Sequence, residues 1–491
     1  MKKLLRICSL ILAMLMVILV VVACAKDEGG SETGDADSYA AIGTDGEVDY
    51  FSDVPSGRYD GYEFRIMSAA HGWASVDMLG GLGTGNYNKD IYTRNITVMD
   101  KLGITITQDT ADGAAIDTLL QKQGMSGDDS DSYDVYWQAA GRIQLRAMEG
   151  LVLDLNDLDK INFSKPWWYT DFMEENEISD RSYVAYGSIN TVYYAAFGLC
   201  AFNKDILETI DPNVNLYEVY DAGKWTWETM YGYMKGASEE VNGDSERMAA
   251  DDKFGLAIHS NTLMNFLLTA NERIVEKDKN GTPTYMGADE GFISAWEFIV
   301  DKASDPQLTC APGITAGYSE YSSKGGSFST AFNEGRALFL LQGAGAFSRN
   351  EGANIPYGLV GYPKPSETDE YRSPVYFGLS GMCVPFVCSD PERTGTIIEN
   401  LAAYSYGTVD KGYIESVLYY KYAKDADATK VIAQVFEQGV VDLSLINTWG
   451  SMGGTITTAL KNRNKDVVSL FEQNESKIKG AMEKAIIFLS R

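Results

Sequence analysis

The sequence predicts an α/β protein of two similar-sized lobes, preceded by a segment that belongs to neither. Three observations carry this. The chain is 491 residues long, more than one hydrophobic core organises, since cores stop growing at about 250–300 residues. Strand and helix patterns alternate from about residue 62 onward, as in layered α/β lobes. The third observation is the stretch 192–207, VYYAAFGLCAFNKDIL, where an uncharged run meets an abrupt polar break. Its first part, 192–202, is rich in Val, Tyr and Phe, so a strand buried on both faces is expected. Asn203 to Asp205 ends that strand, and Asp205 is placed to cap a short amphipathic helix from Ile206.

Composition narrows the class. Apolar residues make up 45% and aromatics 12%, enough for sizeable cores and too much for disorder beyond the first sixty residues or so. The formal charge is −28, and removing residues 1–23, with Lys2, Lys3 and Arg6 and no acid, leaves −31. Such a surface repels nucleic acid and anionic lipid head groups and keeps the chain soluble outside a cell. Two histidines, His71 and His259, form no zinc-spaced cluster, so neither metal nor cofactor is expected. Cys383 and Cys388 flank residues 384–387 at a strand end too extended for an easy bridge, and buried free thiols are expected there and at Cys200 and Cys310.

Taken in order, residues 1–23 carry a basic start, a long apolar middle and Val21-Val22-Ala23 before Cys24, the pattern of a bacterial lipoprotein signal. An uncleaved signal anchor is the competing reading, because 7–25 is about long enough to span a bilayer. The small residue before Cys24 and the Gly, Ser, Asp and Glu tether over 24–56 favour cleavage. YEFRIM at 62–67 alternates as a strand. A glycine-rich loop over 68–85 holds His71 and Trp73, and Asn86 breaks any dinucleotide fingerprint. A helix over 90–102 stops at Gly103 and leads to a strand at 104–107. The acidic loop 128–134 lacks the EF-hand glycine and glutamate. The strand 133–137 then brings Trp137 and Gln138 to the sheet rim, where ligands of open α/β sheets bind. Trp167 and Trp168 in KPWWY suit packing better than stacking on a sugar.

Beyond the crossover, Thr226 is placed to cap a helix running to about 241. The strand 254–258 ends at His259 and Asn261. A helix at 265–270, a hairpin turning at Asn280-Gly281 and a helix at 289–303 follow. A helix over 328–335 precedes a strand over 337–342, with further strands at 357–362 and 375–385, the second returning to the first lobe. Ser389 and Glu392 have capping-box spacing for a helix to 406. Helices at 411–423, 429–437, 450–461 and 466–489 close the chain, with Trp449 just before the third.

Two motifs carry a resemblance. Phe202-Asn203-Lys204-Asp205-Ile206 after an apolar strand, and AFNEGRALF at 331–339, occur in the order found in solute-binding proteins of bacterial ABC importers, and the chain resembles their maltodextrin/oligosaccharide-binding type. The resemblance implies a two-lobed type II periplasmic-binding-protein-like fold with a cleft between lobes joined by hinge crossovers. Lobe 1 would be 57–195 with 375–438, and lobe 2 196–374 with 439–491. It further implies a monomer lipidated at Cys24 on the outer face of the cytoplasmic membrane, binding a carbohydrate and meeting importer permease subunits, with no catalytic residue.

Sugar recognition needs flat apolar faces for pyranose C–H groups and directional polar groups for hydroxyls. By position in the resemblance, the first lobe offers His71, Trp73, Trp137 and Gln138. The crossover offers Tyr193 and Tyr194, and the second lobe His259, Asn261, Gln342 and Phe347. Tyr376 and Trp449 complete the set. His259, Ser260 and Asn261 stand where the maltodextrin binders carry an acid and aromatics, and Gly345, Ala346 and Phe347 where they place Trp, which puts maltodextrin itself in question. A glycosidase needs only two placed carboxylates and is the competing class, beside a sensor or adhesin on the same scaffold. A serine hydrolase is disfavoured, because Gly378-Leu379-Ser380-Gly381-Met382 misses the last glycine of the nucleophile elbow.

Overall fold

Residues 54–70, 76–82, 86–127, 132–243, 247–350 and 355–489 are described by a computed structural model. The leader, Cys24 and nearly all of the tether lie outside the described residues. The chain first lays down β1 (Tyr62–Ala69), α1 (Asn86–Leu102), β2 (Ile104–Ala111), α2 (Gly113–Ser126), β3 (Val135–Ala139), α3 (Ala140–Met148) and α4 (Thr170–Asn176). Gly103 ends α1 in the left-handed region, at φ +72°, as a residue without Cβ does at little cost. Asp112 caps α2, its carboxylate accepting from the N–H groups of Ala114 and Ala115. Neither α2 nor α3 is anticipated by the sequence reading.

Then come β4 (Gly198–Asn203), α5 (Lys204–Ile210), α6 (Trp227–Ala237), β5 (Phe254–Ile258), β6 (Val275–Lys277), β7 (Pro283–Tyr285), β8 (Thr309–Cys310), α7 (Phe328–Asn333), β9 (Ala337–Gly343) and β10 (Tyr357–Val360). The chain continues through β11 (Ser373–Pro374), β12 (Ser380–Cys383), α8 (Pro391–Tyr406), α9 (Ala426–Glu437), β13 (Gly439–Val440), α10 (Leu443–Ile446), α11 (Met452–Lys461) and α12 (Val467–Leu489). Among the described residues no helix is long and apolar enough to cross a membrane. Cys200, Cys310, Cys383 and Cys388 are free thiols, the first three buried.

Three expectations about local structure are corrected. The crossover strand begins only at Gly198, because Val192–Ala195 forms a helical turn. That turn presents rings: Tyr193 packs on Phe172 and Phe197 with centroids 5.0 and 4.9 Å away, and Tyr194 packs on Phe436 at 4.9 Å. The helix after the strand is capped by Asn203, whose side chain accepts from the N–H groups of Asp205 and Ile206. Asp205 sits inside the first turn, where its charge suits the helix dipole. Asp390 rather than Ser389 caps α8, accepting from the N–H of Arg393, with Pro391 as the first helical residue.

The strands form two main sheets, in the orders β12-β3-β1-β2 and β10-β4-β9-β5-β8. Both share one kernel. A central strand (β1, β5) pairs in parallel with the next strand on one side (β2, β8) and with the third on the other (β3, β9). A strand from elsewhere in the chain (β12, β4) then joins the third one antiparallel. Each sheet therefore has a switch point where successive connections diverge, the place where open α/β sheets receive ligands. Among the described residues, three chain crossings link the halves side by side. Phe197 bridges Val375, β11 pairs in parallel with β13, and the N–H groups of Tyr376 and Val375 donate to the carbonyls of Ala196 (3.0 Å) and Val440 (2.9 Å).

Candidate functional site

The switch point of the second sheet gathers a compact set of side chains. In the pairing of β5 with β9, Ile258 lies opposite Leu341, and in that of β4 with β9, Gly198 lies opposite Gly343. His259 and Gln342 thus emerge at one sheet edge beside the start of β4. The first and second crossings run past the same edge. Between them lies a cavity of about 190 Å³, lined on the sheet side by His259, Asn261, Thr262, Asn265, Leu341 and Gln342. Ala196, Gly198, Pro374 and Tyr376 from the crossings, with Phe328, Gly343 and Ala346, complete it. Gly198 is required here: a Cβ would stand 2.6 Å from the Tyr362 ring and 3.2 Å from the Pro374 carbonyl.

His259 begins a tight turn over Ser260–Thr262, its carbonyl accepting from the Thr262 hydroxyl at 2.7 Å. Its Nδ1 lies 2.5 Å from Oδ1 of Asn261, and its ring meets Phe328 edge-on with centroids 5.8 Å apart. Burial pushes the His259 pKa down, against the pull of Asn261. The Asn261 N–H also lies 3.3 Å from Nδ1, so Nε2 is left as a donor or an acceptor according to the tautomer. Gln342 Oε1 accepts from the Ser329 hydroxyl at 3.2 Å, and Asn265 donates to the Tyr362 hydroxyl at 3.3 Å. The Tyr376 ring lies against Phe377 with centroids 4.9 Å apart, and burial raises its phenol pKa. No acidic or basic residue other than the neutral His259 lines this cavity among the described residues. A carboxylate or ammonium would enter it without a counter-charge, at a cost of several kcal/mol, whereas an uncharged solute finds amide, imidazole and hydroxyl partners beside apolar faces.

Of the residues singled out from sequence, His259, Asn261, Gln342 and Tyr376 meet in this cavity. His71 and Trp73 lie outside the described residues. Trp137 and Gln138 stand within β3, which runs on to Ala139. Trp137 is buried opposite Met382, and its indole N–H has no partner among the described residues. Gln138 is buried opposite Gly381 and donates to Asp117 at 3.3 Å. Tyr193 and Tyr194 belong to the ring cluster beside the first crossing. Phe347 is buried and stacks on Tyr357 at 6.5 Å. Trp449 is buried in a strained turn, where Thr448, Gly450 and Ser451 have φ of +54°, +64° and +58°. Thr262, Asn265, Phe328 and Pro374 were not singled out. The signal that could have found the first two is their place directly after a buried strand's end.

Two sheets with one shared kernel, three adjacent crossings and a neutral cavity beside them define a hinged solute-binding protein. The chain belongs to the bacterial extracellular solute-binding protein family, whose profile matches residues 97–405. It is a binding protein and not an enzyme, which sets the glycosidase alternative aside. Solved structures share the fold at low identity. An ABC substrate-binding protein from Listeria monocytogenes in complex with cycloalternan is 12% identical, over 86% of this chain and 100% of that one, with a TM-score of 0.56. A solute-binding protein of an ABC transporter from Agrobacterium radiobacter K84 in complex with ribitol is 13% identical, over 86% and 99%, with a TM-score of 0.53. A cyclo/maltodextrin-binding protein complexed with maltotetraose is 12% identical, over 88% and 98%, with a TM-score of 0.52. No curated protein matches the sequence.

Proposed function

We propose that this chain is the lipid-anchored capture subunit of an ABC importer, holding an oligosaccharide between lobe 1 (57–195 with 375–438) and lobe 2 (196–374 with 439–491). The observation that carries the reading is the cavity lining, in which uncharged hydrogen-bonding groups alternate with the faces of Phe328 and Tyr376. A pyranose ring would lay its C–H face on those rings. Its hydroxyls would exchange hydrogen bonds with Nε2 of His259, with Asn261 and with Gln342. A space of about 190 Å³ suits one such ring, so further units would extend beyond it along the cleft between the lobes. The cycloalternan, ribitol and maltotetraose held by the fold neighbours speak for polyhydroxylated solutes.

Capture works by closure. A ligand that binds the closed arrangement better shifts a hinge equilibrium, and the permease subunits then distinguish loaded from empty protein. Cys24, with two or more acyl chains, would keep the protein on the outer face of the cytoplasmic membrane, where a single chain gives only marginal binding.

A thermal-shift screen of the mature chain against oligosaccharides, monosaccharides, polyols, peptides and amino acids tests the reading. Ligand at about a hundred times its Kd should add roughly 2.7 kcal/mol, worth a few degrees. A shift confined to oligosaccharides is the expected result. A response to peptides alone would overturn the carbohydrate assignment, and one to monosaccharides alone would overturn the oligosaccharide. The anchor is checked separately, since Cys24→Ser should move the protein from the membrane fraction into the medium.

A further inference from the structure

We propose that the β6–β7 hairpin is an ionic brace beside the hinge, and that Lys277 is a positioning residue that holds α4 of the first half against the hairpin of the second. The hairpin lies outside both main sheets. At its base it is tied to the chain leaving the third crossing: Arg273 Nε donates to the Val441 carbonyl at 2.9 Å, and the N–H of Ile274 donates to Asp442 Oδ2 at 2.5 Å. Asp442 is buried and caps α10, so hairpin and third crossing move together.

Lys277 reaches the other way. Its ammonium donates to the main-chain carbonyl of Glu174 in α4. That helix belongs with the first sheet, because the N–H of Tyr169 just before it donates to Tyr186, and Ala185 bridges Met382 in β12. Lys277 is half-buried and sits in the field of Glu174, Glu175, Glu177 and Asp180, while Glu175 also feels Arg273 and Asp171. Behind this contact lies a space of about 300 Å³ lined by Glu175, Arg273, Lys277, Val441 and Leu443 among others. Helix and hairpin are therefore joined by charge and hydrogen bonding across a gap, and can part without tearing a core. The hydrogen bond is solvent-exposed, so the contact is modest in strength and sensitive to salt. Hinge equilibria lie within a few kcal/mol of balance, so one contact of this kind moves the population.

The test needs no ligand, so failure of the carbohydrate reading leaves it standing. Small-angle X-ray scattering is recorded on the full-length protein and on Lys277→Met, with circular dichroism confirming that both are folded. The variant is expected to show a larger radius of gyration at low salt. Molar sodium chloride should expand the unmodified protein in the same way and leave the variant unchanged, and Lys277→Arg should restore the compact form. Glu175→Gln combined with Glu177→Gln should repeat the expansion from the helix side, covering the case in which Lys277→Met fails to fold. Superimposable scattering of Lys277→Met and the unmodified protein, or a more compact variant, would overturn the proposal.

Discussion

Desolvation holds His259 neutral in the cavity wall, and its Nδ1 lies within hydrogen-bond reach of Asn261. Truncating it removes the Nε2 hydrogen-bonding group and strands the Asn261 amide, and an unmet buried hydrogen bond costs about 1–3 kcal/mol. His259→Ala should therefore weaken ligand binding by at least about tenfold, measured by titration calorimetry with the solute that gives the largest thermal shift. Unchanged affinity would remove this cavity from the ligand site. Sequence made His259, Asn261, Gln342 and Tyr376 visible because each lies at or near the end of a recognisable strand. Tyr193 and Tyr194 look equally suitable in one dimension, since nothing in their spacing shows that Phe172, Phe197 and Phe436 converge on them. Lys277 could not be found that way, because its partner is a main-chain carbonyl about a hundred positions upstream.

Between elements, one close approach beside the site is that of α6 on β5. A Cβ on Gly255 would stand 2.3 Å from Cα of Met234, and a helix backbone cannot yield as a flexible side chain does. Gly255→Ala should therefore push α6 off the sheet and destabilise the protein by about 1–3 kcal/mol, read as a lower urea midpoint at unchanged slope. An unchanged midpoint would mean that the two elements are not in firm contact. At this scale the sequence was most informative about strands, since alternation or continuous burial marks 62–67, 254–258 and 337–342 without reference to partners. It was least informative where an apolar run has no period: residues 192–197 suit a strand by composition, and ring packing makes the first part a helical turn. Caps slipped by one or two residues because Asn203-Lys204-Asp205 and Ser389-Asp390 each offer two competent side chains.

Across the whole molecule, several carboxyls are buried where ionisation is penalised. Burial pushes Glu399 up to about 7, although the indole N–H groups of Trp167 and Trp168 donate to its two oxygens at 3.1 and 3.0 Å. Burial likewise takes Asp410 to about 7 against hydrogen bonds from Ser188 and Tyr169, and burial with the neighbouring Asp289 takes Glu272 to about 7. In the unfolded chain such groups titrate near pH 4 to 4.5. Their folded pKa values are raised, so the folded state holds protons that the unfolded state has released between about pH 4.5 and 7. Their contribution is greatest below that window and is lost as pH rises through it. His259 works in the opposite sense, because its lowered pKa makes the unfolded chain take up a proton first below about pH 6.5. Three carboxyls outweigh one imidazole, and acidification also relieves the self-repulsion of a chain of net charge −28. The melting temperature should therefore be higher at about pH 5.5 than at about pH 7.5. Asp410→Asn keeps one oxygen to accept from Ser188 and Tyr169 and cannot ionise, so it should narrow that difference. A melting temperature that falls on acidification would show that these carboxyls are ionised and paired in the folded protein, and that the net charge is too dispersed to govern its stability.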